Sequence, residues 1–205
     1  MAPMKLIGSK TSPYVRKVRI LFAEKQLAYE FVEDNVWAAS TLVGRFNPLT
    51  KVPVLILDDG TCLYDSTVIA GYVDTLASPA LIPALPLPQA LARRTEALAD
   101  GICDAAVAIV LERKREPQRQ DGATMDRHRA KIDASIQALS MQLGESPWLA
   151  GETPGLADVA AGAALFYVEF RLPEVGWRER YANLRRWAEK AETRSAFSST
   201  RPPPA

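Results

Sequence analysis

The sequence predicts two units, an α/β unit of order β-α-β-α-β-β-α and an all-α helical unit after it, and three observations predict them. The first 78 residues mix strand and helix periods, a proline-rich break "ASPALIPALPLP" follows, and beyond it every periodic segment has helical spacing. The boundaries read this way are 1–78 for the first unit, 79–88 for the linker and 89–205 for the second unit.

Each element has its own signal. "KLIG" is a short apolar strand, after which Tyr14, Val18, Leu21 and Phe22 recur on one helical face with Arg16, Lys17 and Arg19 turned mostly outward. "AYEFVED" alternates as a strand, "AASTLVGRFNP" is a short helical or irregular link ended by Pro48, and "VPVLILDDGTCLYD" reads as two strands around an Asp-Gly turn. Ile69, Tyr72, Val73 and Leu76 then mark the face of a further helix. In the second unit, helical spacing covers Leu91 to about Glu116, Met125 to Leu143, Leu156 to about Phe170 and Tyr181 to about Thr193. The tail "SSTRPPPA" is expected to be poorly ordered.

Composition excludes several classes of function. Of 25 basic and 24 acidic residues, eight of each lie in the first 78, so neither unit is a charged tail and no excess points to nucleic acid or an anionic membrane. Two cysteines 41 residues apart and a single histidine, His128, argue against a metal site. "MAPMKLIG" has no basic region leading into a long apolar run, so no secretion signal is expected. The stretch from Val159 to Val168 is about half of what a membrane span needs. The expected location is the cytoplasm, where free thiols are ordinary. His128 and the run "ERKREPQRQ" read as solvated surface, and Cys62 and Cys103 as small core or half-buried residues.

Three short motifs carry candidate chemistry. In "GSKTSPY", Ser12 before Pro13 is what a helix start asks for, so a capping role explains the pair without any reaction. Ser9 and Thr11 fit turn positions equally well. "KVPVL" sets Pro53 at the start of an apolar strand, which can leave the backbone of Val52 unpaired and open to an extended peptide. "YDST" places Asp65 and Ser66 at a helix start, where free N–H groups favour a carboxylate.

Taken together and in this order, "SPYVRKV", "KVPVL", "YDST" and "PGLADVAAGAAL" resemble the glutathione transferase family, closest to its small bacterial members with a serine-type site, over nearly the whole chain. The resemblance implies a thioredoxin-like first domain, a cis peptide before Pro53, and a glutathione site. Its cofactor-binding residues would be Lys51, Val52, Pro53, Asp65 and Ser66, with Asp65 and Ser66 taking the γ-glutamyl end. The catalytic hydroxyl it implies is Ser12, then Thr11, then Ser9. Asp158 becomes a folding residue, and Gly155 is the helix N-cap where the family usually has serine or threonine. The partners implied are glutathione and a small hydrophobic electrophile, whose pocket in this family lies between the domains, with Tyr14, Trp37, Asp104 and Arg113 as candidate lining. A homodimer and a role in detoxification are also implied by the resemblance, as is the alternative of a non-catalytic protein of the same fold that binds a protein partner.

Overall fold

The computed structural model describes residues 4–203. The chain divides into two compact units, one running to Ile82 and taking back the C-terminal segment from Glu192, the other Pro83–Ala191.

The first unit holds β1 (Lys5–Gly8), α1 (Pro13–Glu24), β2 (Glu30–Glu33), β3 (Val54–Ile56), β4 (Cys62–Leu63) and α2 (Ser66–Leu76). The short helical or irregular link expected between β2 and β3 contains a single 3-10 turn, Val43–Arg45. The sheet order is β2-β1-β3-β4, with β1 parallel to β2 and antiparallel to β3, and β3 antiparallel to β4. This is the mixed four-stranded thioredoxin-like sheet. Leu6, Val18, Leu21, Phe22, Leu55, Ile69 and Val73 are fully buried and form its core.

Three expectations change here. Arg16 and Lys17 are buried rather than outward, because α1 is packed by α2 and by a segment from the far end of the chain. That segment contains α8 (Ser195–Ser198), which packs against α1, and Thr200 is 3% exposed. The tail is therefore ordered through these residues, while Pro204 and Ala205 lie outside the described residues, as do Met1–Pro3 of the segment read for a leader. Leu76, expected on the buried face of α2, is 38% exposed. The helix ends there, and the buried ammonium of Lys25 fastens its last turn and the chain beyond it. Asp74 Oδ1 lies 2.6 Å from Lys25 Nζ, and the carbonyls of Asp74, Ala77 and Pro79 accept from it at 2.9, 2.7 and 2.6 Å.

The second unit is built from α3 (Pro86–Glu112), α4 (Gly122–Leu143), α5 (Leu156–Arg171), α6 (Trp177–Arg180) and α7 (Ala182–Glu192), with α3 packed against both α4 and α5. Helix α3 begins five residues before the first periodic residue, at a proline that fits the opening position of a helix. At the start of α5, Asp158 is fully buried and accepts from Leu149 N–H at 2.8 Å, Ala150 N–H at 3.2 Å, Gly155 N–H at 3.0 Å and Trp187 Nε1 at 2.8 Å. One carboxylate thus ties a loop, a helix start and α7. His128, expected on the surface, is half-buried with Nδ1 sealed from solvent. It sits four residues before Ile132 and eight before Ile136, on the stripe of α4 that faces inward.

Candidate functional site

Strand direction gathers the candidate residues of the first unit at one edge of the sheet. Gly8 ends β1, Leu63 ends β4, and Val54 begins β3 opposite Ile7, so the segments 9–12, 51–53 and 64–66 all emerge at that edge.

Ser12 is the N-cap of α1: its Oγ accepts from Val15 N–H at 3.4 Å, and its carbonyl accepts from Arg16 N–H at 3.0 Å. Its own N–H donates to Ser9 O at 3.0 Å, which turns the chain sharply after β1. Ser9 Oγ and Thr11 Oγ1 lie 3.1 Å apart and share a hydrogen bond, so one of their two protons is used internally. Ser12 uses only a lone pair in capping, and its O–H stays available to donate. The approach of α1 to β1 depends on Gly8, where a Cβ would stand 2.5 Å from Val15 Cγ2.

The Val52–Pro53 peptide is cis, as the resemblance implies, and so is Tyr64–Asp65. Pro53 is buried, Val52 half-buried and Lys51 exposed. Among the described residues Val52 makes no backbone hydrogen bond, since pairing with β1 begins only at Val54. The segment is held from behind by Asn47, 2% exposed, which donates from Nδ2 to Lys51 O at 2.8 Å and accepts from Leu49 N–H at 3.0 Å. Sequence reading missed Asn47 as a site residue. Its signal was an asparagine directly before Pro48, a turn-forming pair.

Asp65 is the N-cap of α2 and accepts from Thr67 N–H at 2.7 Å, with its carboxylate exposed and Ser66 buried in the first turn behind it. This end of α2 therefore offers both signs: an exposed carboxylate for an ammonium, and helix N–H groups for a carboxylate. From the buried α1 face, Lys17 Nζ reaches Thr67 Oγ1 at 3.5 Å.

The four candidates for an electrophile pocket have separate surroundings. Tyr14 is half-buried in the first turn of α1, and Trp37 is 69% exposed in the loop after β2. That loop is closed on itself by Asp34 Oδ2, which accepts from Leu42 N–H at 3.0 Å. Asp104 is exposed on α3, and Arg113 pairs with Glu174 within the helical unit. Burial pushes the Glu174 carboxyl up, and the hydrogen bond and charge of Arg113 bring it net below the usual range. Cys62 is half-buried and Cys103 buried, both as free thiols. Among the described residues no group of three or more His, Cys, Asp or Glu is placed to hold a metal ion, and no helix is long and apolar enough to cross a membrane.

Comparison with known proteins gives consistent matches to both units. A family model described as the glutathione S-transferase N-terminal domain matches residues 11–76, and one for the C-terminal domain matches 122–190. An uncharacterised GST-like protein of Escherichia coli K12, YibF, is 39% identical over 98% of this chain and 100% of its own. A glutathione S-transferase from Methylobacterium radiotolerans, solved in complex with glutathione sulfonate, is 39% identical with a TM-score of 0.94, covering 98% of this chain and 95% of that one. Another from Methylobacillus flagellatus, solved with glutathione bound, is 40% identical with a TM-score of 0.94, covering 98% and 100%.

Proposed function

The chain belongs to the glutathione S-transferase family, and from that premise we propose that it is a glutathione transferase in which the Ser12 hydroxyl stabilises the thiolate of glutathione for transfer to a small hydrophobic electrophile. The observation that carries the serine assignment is the one hydroxyl that caps a helix by accepting and keeps its proton to donate.

The residues at the sheet edge fit glutathione piece by piece. The γ-glutamyl end is an amino acid, with an ammonium for the Asp65 carboxylate and a carboxylate for the Ser66 end of α2. The backbone of Val52 offers a donor and an acceptor to the peptide in the middle, held in place by Pro53 and Asn47, and Lys51 stands exposed beside it. Glutathione supplies the nucleophilic sulfur. Its thiol, with an ordinary pKa near 8.5, is only a few per cent ionised at neutral pH, and each unit of lowering corresponds to about 1.4 kcal/mol. The donating O–H of Ser12 and the N-terminal end of α1 both favour the anion over the thiol. No histidine lies in the first unit, so the released proton passes to water. Serine forms no mixed disulfide, which favours conjugation over thiol exchange.

A homodimer is part of this reading. In the second unit, Leu85, Leu87 and Leu91 at the start of α3 are 69%, 69% and 42% exposed, apolar side chains that a second copy would cover. Two free cysteines fit a reducing compartment, the cytoplasm.

The test is the ultraviolet thiolate absorbance of glutathione bound to the protein, titrated against pH. A band that persists below the pKa of free glutathione is the expected result. Absence of both band and binding would turn the reading toward a protein of this fold that binds a macromolecular partner. For Asp65→Ala, calorimetry is expected to show glutathione affinity lowered about tenfold or more, as for a lost charge-assisted contact. The thiol pKa should change little, because Asp65 holds the other end of the molecule. Unchanged affinity would remove Asp65 from the site.

A further inference from the structure

Residues Arg194–Thr200 lie along α1 and are fastened to it at three levels. In the first turn after the cap, Arg16 Nη2 donates to Phe197 O at 3.4 Å. One turn on, Arg19 donates to Thr200 O and Ser199 O, each at 3.4 Å. At the last residue of α1, Arg194 forms a two-pronged pair with Glu24 at 2.8 and 2.6 Å. Between these points Phe197 is buried at 1% exposure, and Thr200 Oγ1 closes the strap on itself by donating to Ala196 O at 2.8 Å.

We propose that this C-terminal strap is a positioning element for Ser12, with Glu24, Arg194 and Phe197 as positioning residues that act through α1. The physical link runs through Arg16. Its guanidinium is buried, 5% exposed, and its backbone N–H closes the first turn on Ser12 O. A buried guanidinium that loses an acceptor is costly, so loosening the strap draws Arg16 toward water and pulls the first turn of α1 with it. The hydroxyl that caps this turn then shifts relative to Val52, whose segment is anchored separately by Asn47. An α-helix is stiff along its axis, so a clamp at the Glu24 end fixes the height of the Ser12 end. The inference rests on the glutathione reading for its chemical consequence and on the geometry of this unit alone for its mechanical one.

Glu24→Gln keeps the shape of the side chain and removes the ion pair, and its effect is read in two ways. In the ligand-free protein, amide hydrogen exchange at Val15 and Arg16 is expected to speed up about tenfold as the clamp loosens. With glutathione added, the pKa of the bound thiol is expected to rise by about half a unit or more, while the dissociation constant changes by less than about threefold. The double swap of Glu24→Arg with Arg194→Glu should restore both values, and Phe197→Ala should reproduce the effect of Glu24→Gln. Thr95→Ala, which removes a hydrogen bond inside the helical unit, serves as a control for general destabilisation. The inference is overturned if strap amides exchange faster in Glu24→Gln while those of Val15 and Arg16 do not. It is equally overturned if the thiol pKa is unmoved, or moves as much in Thr95→Ala. A parent protein that binds no glutathione would sink the functional reading instead, and the exchange result would still decide whether the strap holds α1.

Discussion

Replacing Ser12 by alanine is expected to lower kcat/KM for glutathione conjugation about tenfold or more, the loss that comes from removing about 1.4 kcal/mol of thiolate stabilisation. The fold should survive. Ser12 caps α1 through a single 3.4 Å acceptor contact to Val15 N–H, and losing such a cap costs about 1 kcal/mol. Two measurements separate the roles: thermal unfolding reads the cap, and the pH titration of bound thiolate reads the donor. Ser12→Thr should retain most of both, because threonine also caps and donates. Equal conjugation rates for the alanine variant and the parent would move the donor role to Thr11 or Ser9, whose hydroxyls already engage each other.

The largest effect on stability is expected at Asp158. Asp158→Ala leaves Leu149, Ala150, Gly155 and Trp187 with donors that no longer meet the carboxylate, at a buried place where water cannot readily replace it. A loss of about 3–5 kcal/mol is expected, a large fraction of the roughly 5–15 kcal/mol that holds a folded chain together. Denaturant unfolding followed through tryptophan emission would read it. A loss under about 1 kcal/mol would mean that the surrounding apolar packing holds the loop alone. The residue also carries a pH signature. Burial raises its carboxyl above the ordinary value, against the lowering effect of its hydrogen bonds. The folded state then binds a proton where the unfolded chain does not, so stability falls as pH rises from the ordinary carboxylate range through the raised one. The advantage of the parent over Asp158→Asn should shrink across that window, and an advantage that grew would contradict the raised value.

The "TSP" stretch shows how far local sequence reaches. That Ser12 caps a helix was legible, because a cap needs only a hydroxyl, a proline and the first helical turn after them. That capping leaves its proton to donate, while Ser9 and Thr11 consume one of theirs on each other, needed the turned backbone that brings those two hydroxyls to 3.1 Å. That Asp65 and Ser66 stand at a helix start was likewise legible. Asn47 was not, since its task is to hold Lys51 from behind and neither side chain announces the other. His128 was misplaced because its charged neighbours describe the outer face of α4, whereas its spacing from Ile132 and Ile136 describes the inner one.

What the sequence determined by itself is whatever depends on neighbours a few residues apart: the caps at Ser12 and Asp65, the turn at Asp59–Gly60 and the order of the elements. What only the tertiary structure decided is the fate of groups whose partners lie far along the chain. Arg16, Lys17 and Arg19 read as a solvated basic stripe, and as a local pattern nothing contradicts that. Phe197 O, Ser199 O and Thr200 O, some 180 positions later, accept from Arg16 and Arg19, and packing on α1 turns a serine-rich segment into an ordered strap. Long charged side chains are buried only when acceptors are supplied, and for Arg16 and Arg19 the acceptors come from the other end of the chain, for Lys17 from Thr67 on α2.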